Sequence, residues 1–494
     1  MGSSRRSFAL GALVAAVATS AGSFVACSEF DASQESPPTA DDAASLDSLA
    51  PSDAGSDQAA TTGTPQTFLE NAVAVAAGTT HTCAITMGQQ VLCWGSNADG
   101  QLGVPVSKIA RTSVPVAVDV GGKATAIVVG ASHTCATLSD GKIKCWGSNV
   151  RGQLGRGTID PSATIADVVA PTSNLSAWTS HAAETLIAGK AFTCTGMRAT
   201  RPNEDQVLFC WGDNSTGQIG LDASSSLYSA YPLMVTMDGA RASSGLVVDA
   251  SAAGTDFACA GYGLAAGAGL YTAIGCWGGR ASGQIGSPPM PSSYEVNPTK
   301  YPSTRADGAL APLYGPYKVA MVAAGSAHGC ARIEKLGESA IGIDCWGNNT
   351  RGQTGSATIG IQPATQLIGF DAAGVSLLVA GGQNTCIVQA SQAKCIGAND
   401  LGQLGRGTIS GEPFANFANV KLPPTVSVLS VGTNHSCAVL GVVAGQPGPV
   451  ACWGQNESGQ LGDGMNIETG YNDESSATAK RVRATPVRVS SAVK

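Results

Sequence analysis

Charge is scarce in this chain. Asp, Glu, Lys and Arg make up 13% of its 494 residues, against about 25% in an ordinary soluble domain, which excludes a long coiled coil or a fold of charged surface helices. Aromatic residues reach only 5%, and no Lys or Arg occurs between Arg6 and Lys108. The balance of 28 bases against 35 acids gives a net charge of −7, so nothing favours nucleic acid as a partner. Catalytic signatures are missing too: the sequence contains no G-x-x-x-x-G-K-[ST], no G-x-S-x-G and no H-E-x-x-H. Ser139-Asp140-Gly141 approaches a Ser-x-Asp-x-Gly turn but has the wrong spacing. No catalytic residue, metal ligand set or cofactor is therefore expected. A hydrolase or lyase site would need acids, bases or ligands converging from scattered positions.

What is abundant is glycine and cysteine, at 63 and 15 residues. The length suits about three domains of roughly 150 residues or one closed repeat array. Cys27 stands alone, and fourteen cysteines follow as seven near neighbours: Cys83 with Cys93, Cys135 with Cys145, Cys194 with Cys210, Cys259 with Cys276, Cys330 with Cys345, Cys386 with Cys395, and Cys437 with Cys452. None forms the C-x-x-C that a zinc ribbon or redox motif requires. Disulfides formed in an oxidising compartment are the expectation.

The N-terminus reads as an export signal. Ser4-Arg5-Arg6-Ser7-Phe8 leads into an apolar run to Ala18 and small residues down to Val25-Ala26-Cys27, with paired arginines resembling those of twin-arginine bacterial signals. A membrane-spanning helix is the competing reading of the same run. Val25-Ala26-Cys27 resembles the end of a lipoprotein lipobox, with Phe24 where leucine is usual, and this assigns Cys27 as the lipidation site of a mature chain beginning there. The segment 27–66 holds eight acids among Ser, Ala, Thr and Pro; it has too little apolar surface to fold, and is read as a disordered acidic tether.

From residue 67 to 494 the chain repeats one unit. It opens Val75-Ala76-Ala77-Gly78, continues His81-Thr82-Cys83, passes Cys93-Trp94-Gly95 and ends Gly100-Gln101-Leu102-Gly103. Successive Cys-Trp-Gly elements stand 52, 65, 66, 69, 50 and 57 residues apart, the sixth copy reading Cys395-Ile396-Gly397. Each unit has apolar runs of four to eight residues broken by glycines, which predicts short strands. Four such strands make one blade, and seven blades close a ring, so the fold class is all-β and a seven-bladed β-propeller. A linear β-solenoid is the rival. Because Thr485-Pro486-Val487-Arg488-Val489 has no following repeat to join, the C-terminal strand is expected to close the first blade.

These signatures, Ala-x-Gly-x-x-His-Thr, Trp-Gly and Gly-Gln-Leu-Gly, resemble the repeats of the regulator of chromosome condensation family. The resemblance covers almost all of the mature chain and implies a seven-bladed propeller. The paired cysteines depart from the nuclear member and resemble a secreted bacterial branch. That nuclear member is a guanine-nucleotide exchange factor that also binds chromatin, roles that an exported acidic chain does not fit; one secreted relative is a β-lactamase inhibitor. The expectation is an exported, lipid-anchored, non-enzymatic monomer of the bacterial cell envelope or exterior. It would bind a protein or cell-surface ligand and touch the membrane through its N-terminal lipid alone, with inhibition of an extracytoplasmic enzyme as the alternative.

Three repeated positions invite functional readings. His81, His133, His328 and His435 precede the first cysteine of their units by two residues, where Phe192, Phe257 and Asn384 stand in the others; replacement by Phe favours structural hydrogen bonding at a turn over a metal ring. The recurrent Trp suits packing between blades. Asn97, Asn149, Asn214, Asn349, Asn399 and Asn456 suit turn capping better than calcium binding. Tyrosine alone breaks the periodicity. Tyr228 and Tyr231 fall in the third insertion and Tyr294, Tyr301, Tyr314 and Tyr317 in the fourth, among prolines that stiffen the loop. These six are the candidate partner-binding residues.

Overall fold

The structure is a computed structural model, and it describes residues 68–491 except 161–163, 180, 200–205, 222, 236–245, 267–268, 287–293, 301–312, 315–316, 336–339, 367–371, 442–446 and 465–481. The export signal, Cys27, the acidic tether and Tyr301 lie outside the described residues.

Seven antiparallel sheets form, one per repeat, as the seven-bladed propeller expected. In the first blade the inner strand Ala72–Ala77 is followed by His81–Thr86, Val91–Ser96 and the outer Arg111–Val118, hydrogen-bonded in that order. The remaining blades span 124–167, 181–234, 246–314, 317–366, 375–419 and 426–488. Strands form here because each segment has an apolar residue to bury on both faces: an inner strand packs alternately against the two neighbouring blades. Ala74 and Ala76 join one apolar cluster with Ile127 of the second blade, whereas Val75 joins another with Val428 of the seventh. The apolar core is thus a set of wedges between blades.

The glycines of Cys-Trp-Gly are required by close approach. Gly95 has φ +106°, and a β carbon there would lie 2.4 Å from the Thr80 carbonyl oxygen, so only glycine lets the third strand turn beneath the loop before His81. All seven expected cysteine pairs are bonded, each joining residues directly opposed on the second and third strands of one blade, such as Cys83 and Cys93.

Ring closure differs from the expectation. The C-terminal strand Val482–Arg488 pairs with Val450–Gln455 and completes the seventh blade, while the first blade already owns its outer strand through pairs such as Cys93 with Val116. The segment after each Gly-Gln-x-Gly turn folds back onto its own blade, so no blade is left for the C-terminus to complete elsewhere. Closure comes instead from residues flanking the strands. The Leu69 amide donates to the Val489 carbonyl at 2.9 Å, the Val450 amide to Leu69 at 3.1 Å, and Ala72 and Gly448 exchange bonds of 3.1 and 2.9 Å.

Candidate functional site

The repeated polar residues are assembled into seams between blades. Trp146 of the second blade donates its indole N–H to the Gln101 carbonyl of the first at 3.0 Å. The same bond recurs from Trp211 to Gln153, Trp277 to Gln218, Trp346 to Gln284, Trp453 to Gln403 and, across the ends of the chain, Trp94 to Gln460. These tryptophans are fully buried. Each Gly-Gln-x-Gly turn is therefore a hook engaging the next blade, and the aromatic is spent on packing rather than on a ligand.

The histidines belong to the same seams, not to turns. His81 Nε2 lies 2.9 Å from Thr134 Oγ1, and that hydroxyl donates to the Gln101 carbonyl at 2.9 Å. With its only proton committed to the carbonyl, the hydroxyl must accept from the ring, which fixes the Nε2–H tautomer and leaves Nδ1 bare. His133 meets Thr193, His328 meets Thr385 and His435 meets Thr82 in the same way. All four Nδ1 atoms are buried without a partner among the described residues. Burial holds the pKa down to about 3 for His81 and His435 and about 4 for His133 and His328, so the rings are neutral and structural.

The hydroxyl partner follows the ring from blade to blade. Where the ring is Phe192 or Phe257, the residue at the threonine position of the next blade is Ala258 or Gly329, opposite Trp277 or Trp346. Asn384, the remaining substitution, faces a blade with Ser436 at that place. This pairing between repeats was present in the sequence as a correlation, and reading each repeat position by itself missed it.

The six asparagines cinch the crossovers between third and outer strands. Asn97 accepts from the Leu102 amide at 2.9 Å and donates to the carbonyls of Val104 and Ile109 at 3.0 and 2.6 Å. Asn149, Asn214, Asn349 and Asn399 hold their loops likewise. The amides of these five are consumed by backbone groups, Asn456 instead donates to the Asp463 carboxylate at 3.0 Å, and no set of three metal-ligating side chains converges among the described residues.

Among exposed polar residues such as Asp99, Lys108 and Arg151, the cinched crossovers also present large apolar side chains to solvent. Val106, Val150, Ile159, Leu227, Tyr228, Tyr231, Ile359, Ile361 and Ile409, nine of the twelve exposed large hydrophobic residues described, lie on these crossovers or in the outer strands they enter. Third strands run in one sense through every blade, so their crossovers emerge on one face of the ring. Of the tyrosines expected to bind a partner, Tyr228 and Tyr231 begin the outer strand of the third blade, 38% and 37% exposed. Tyr231 packs against the preceding blade: a β carbon on Gly157 would sit 2.9 Å from its ring. Tyr294, Tyr314 and Tyr317 have backbones in strands of blades four and five, and their side chains lie outside the described residues.

Comparison with known proteins agrees with this architecture. A family profile described as Regulator of chromosome condensation (RCC1) repeat matches residues 72–101 and 124–153, and a second of the same description matches 89–137. The chain is 30% identical over 155 residues to the X-linked retinitis pigmentosa GTPase regulator of Mus musculus, covering 31% of the chain and 14% of that protein. It is 25% identical over 351 residues to the Ultraviolet-B receptor UVR8 of Arabidopsis thaliana, covering 70% of the chain and 68% of the receptor. Among solved structures, Prp20p from Saccharomyces cerevisiae, described with binding properties to Gsp1p and histones, superposes with a TM-score of 0.60 at 18% identity, over 82% of the chain and 87% of Prp20p. Human WBSCR16 gives a TM-score of 0.60 at 19% identity, over 81% of the chain and 93% of that structure.

Proposed function

We propose that this chain, whose residues 72–153 match the Regulator of chromosome condensation (RCC1) repeat, is an exported, lipid-anchored binding protein without catalytic activity, engaging a protein partner through the crossover face of its propeller. One observation carries the reading: the exposed large hydrophobic side chains are concentrated on the crossovers of one face. A protein interface needs apolar anchors inside a polar rim, and the ring of crossovers supplies them on a scaffold already stiffened by seven disulfides. Those bridges fit an oxidising compartment. Export and lipidation rest on the paired arginines and the Val25-Ala26-Cys27 sequence. Tyr228 sits on the proposed face, and Tyr231 at its edge.

The test is affinity capture from cell-envelope extract, comparing the natural protein with Ile159→Asp and with Met87→Asp. Met87 is 66% exposed and lies just past the second strand, on the opposite face. A partner retained by Met87→Asp and lost by Ile159→Asp supports the reading. Equal capture by both variants overturns it.

A further inference from the structure

The axis of the ring carries a feature that the rim reading does not use. Where the inner strands end, the loops leading to the second strands surround an open mouth of about 320 Å³. One residue from each blade borders it at the position after the inner glycine: Thr79, Ala131, Lys190, Thr255, Ser326, Gly382 and Thr433. Six of these carry no charge. Lys190 is the exception, and its ammonium makes no ion pair among the described residues. Asp256 is an acid that Lys190 influences electrostatically, but that carboxyl accepts from Gln284, whose Nε2 lies 3.3 Å from Oδ1, and burial raises its pKa toward the neutral form.

The hydroxyls around the mouth divide into two groups. Those of Thr79 and Thr433 bond each other at 3.0 Å. Those of Thr255 and Ser326, one and two blades on from Lys190 in ring order, have no hydrogen-bond partner among the described residues. The backbone of the mouth is itself fixed, since the Lys190 amide donates to Thr255 at 3.1 Å and the Ala131 amide to Lys190 at 3.2 Å. The rim therefore carries one cation and two hydroxyls without a partner among the described residues, around a mouth otherwise lined by glycine backbone and the small side chains of alanine and valine. No aromatic or long aliphatic side chain lines it.

We propose that this mouth binds a small hydroxylated monocarboxylate of the sugar-acid class, its carboxylate on Lys190 and its hydroxyls on Thr255 and Ser326. Charge decides the class. A single ammonium, without the guanidinium fork that favours phosphate, balances one carboxylate and would leave a phosphate dianion half uncompensated. Lining decides the rest of the ligand, because hydroxyl and backbone groups reward hydrogen bonding and the small side chains offer little apolar area to an alkyl tail. The site stands apart from the crossover rim and does not rest on that surface being an interface.

Isothermal titration calorimetry of the purified chain with glucuronate, glucose, acetate and inorganic phosphate tests it. Saturable one-to-one binding of glucuronate is expected, at least tenfold tighter than glucose, acetate or phosphate. Lys190→Ala should bring glucuronate down to the affinity of glucose, and Thr255→Val should weaken glucuronate and glucose together. Both variants sit on the rim and should melt as the natural protein does, which separates lost binding from lost folding. Absence of saturable glucuronate binding overturns the proposal, as does glucuronate binding that survives Lys190→Ala or is matched by acetate or phosphate.

Discussion

His435 and Thr82 stand 353 residues apart in sequence, and their Nε2 and Oγ1 atoms lie 2.8 Å apart across the seam that closes the ring. The threonine hydroxyl donates onward to the Gln460 carbonyl at 2.8 Å, beside the Trp94 bond to the same oxygen. Removing the hydroxyl alone leaves a buried imidazole N–H without an acceptor, a cost of about 1–3 kcal/mol. Thr82→Ala should therefore destabilise the chain by that order in denaturant unfolding. The double variant His435→Phe with Thr82→Ala copies the Phe192 and Ala258 seam and should recover a large part of the loss. Additive losses in the double variant would show that the two residues do not act as a unit.

Acid should weaken all four histidine seams together. The folded pKa values of about 3 to 4 lie below the ordinary histidine value of 6.5, so the unfolded chain takes up protons first as pH falls. The contribution of these rings is complete above about pH 6.5 and declines from there to about pH 3 to 4, at up to about 1.4 kcal/mol per pH unit for each ring. Melting temperature measured from pH 7.5 down to pH 4 should fall, and the His133→Phe, Thr193→Ala pair should flatten the slope. A flat profile in the natural protein would mean that the rings are not buried neutral.

Much of this was legible because the chain states it seven times. Cysteine pairing, blade number and the packing role of the tryptophans follow from residues that recur at fixed places, and strand register places each cysteine opposite its partner. Closure was misread because the strand after a Gly-Gln-x-Gly turn can pair backward or forward with equal propensity, and only the ladder, Cys452 opposite Val487, decides. The role of Tyr231 was hidden for a similar reason: the Gly157 it covers belongs to the preceding repeat.

Closure through the termini predicts what truncation does. Removing residues 482–494 strips the outer strand of the seventh blade and the Leu69 bond to Val489. It also removes Val489, which is fully buried against Trp94 of the first blade, and so uncovers that ring. The truncated chain should lose stability and protease resistance, beginning in blades seven and one. Limited proteolysis with mass spectrometry locates the first cuts, and initial cleavage in blades three or four would contradict this closure.

The disulfides should resist reduction until the ring opens. The bridged cysteines are at most 2% exposed, and thiol exchange requires access to sulfur. Dithiothreitol without denaturant should leave all seven bridges intact, while the same reagent in guanidinium should reduce them. The Cys259–Cys276 bridge has a sequence separation of 17 and Cys386–Cys395 one of 9; the chain-entropy model gives about 3 kcal/mol for such loops and a difference below about 1 kcal/mol between these two. Alkylation of free thiols followed by mass spectrometry reads the result, and native-state reduction of one bridge would identify a blade that opens locally.

Tyr228 and Tyr231 differ by three residues and should separate binding from stability. Tyr228 is 38% exposed on the crossover face, and its side chain has no hydrogen bond or ring contact among the described residues. Tyr231 is exposed to a similar 37%, but the part it buries lies on Gly157, whose amide donates to the Ala230 carbonyl at 2.9 Å. That contact fastens the outer strand of the third blade to the crossover of the second. Truncation of Tyr231 therefore removes packing between blades, about 1 kcal/mol for part of an aromatic side chain, and Tyr231→Ala should lower the melting temperature with or without a partner. Tyr228→Ala removes no side-chain hydrogen bond or ring contact among the described residues and should lower melting less than Tyr231→Ala. If the crossover face is the interface, Tyr228→Ala should weaken partner capture by about 2 kcal/mol, the order of an anchor residue. A stability loss in Tyr228→Ala as large as that in Tyr231→Ala, with undiminished capture, would place Tyr228 among the structural contacts and leave Val150, Ile159 and Leu227 as the residues that must account for binding.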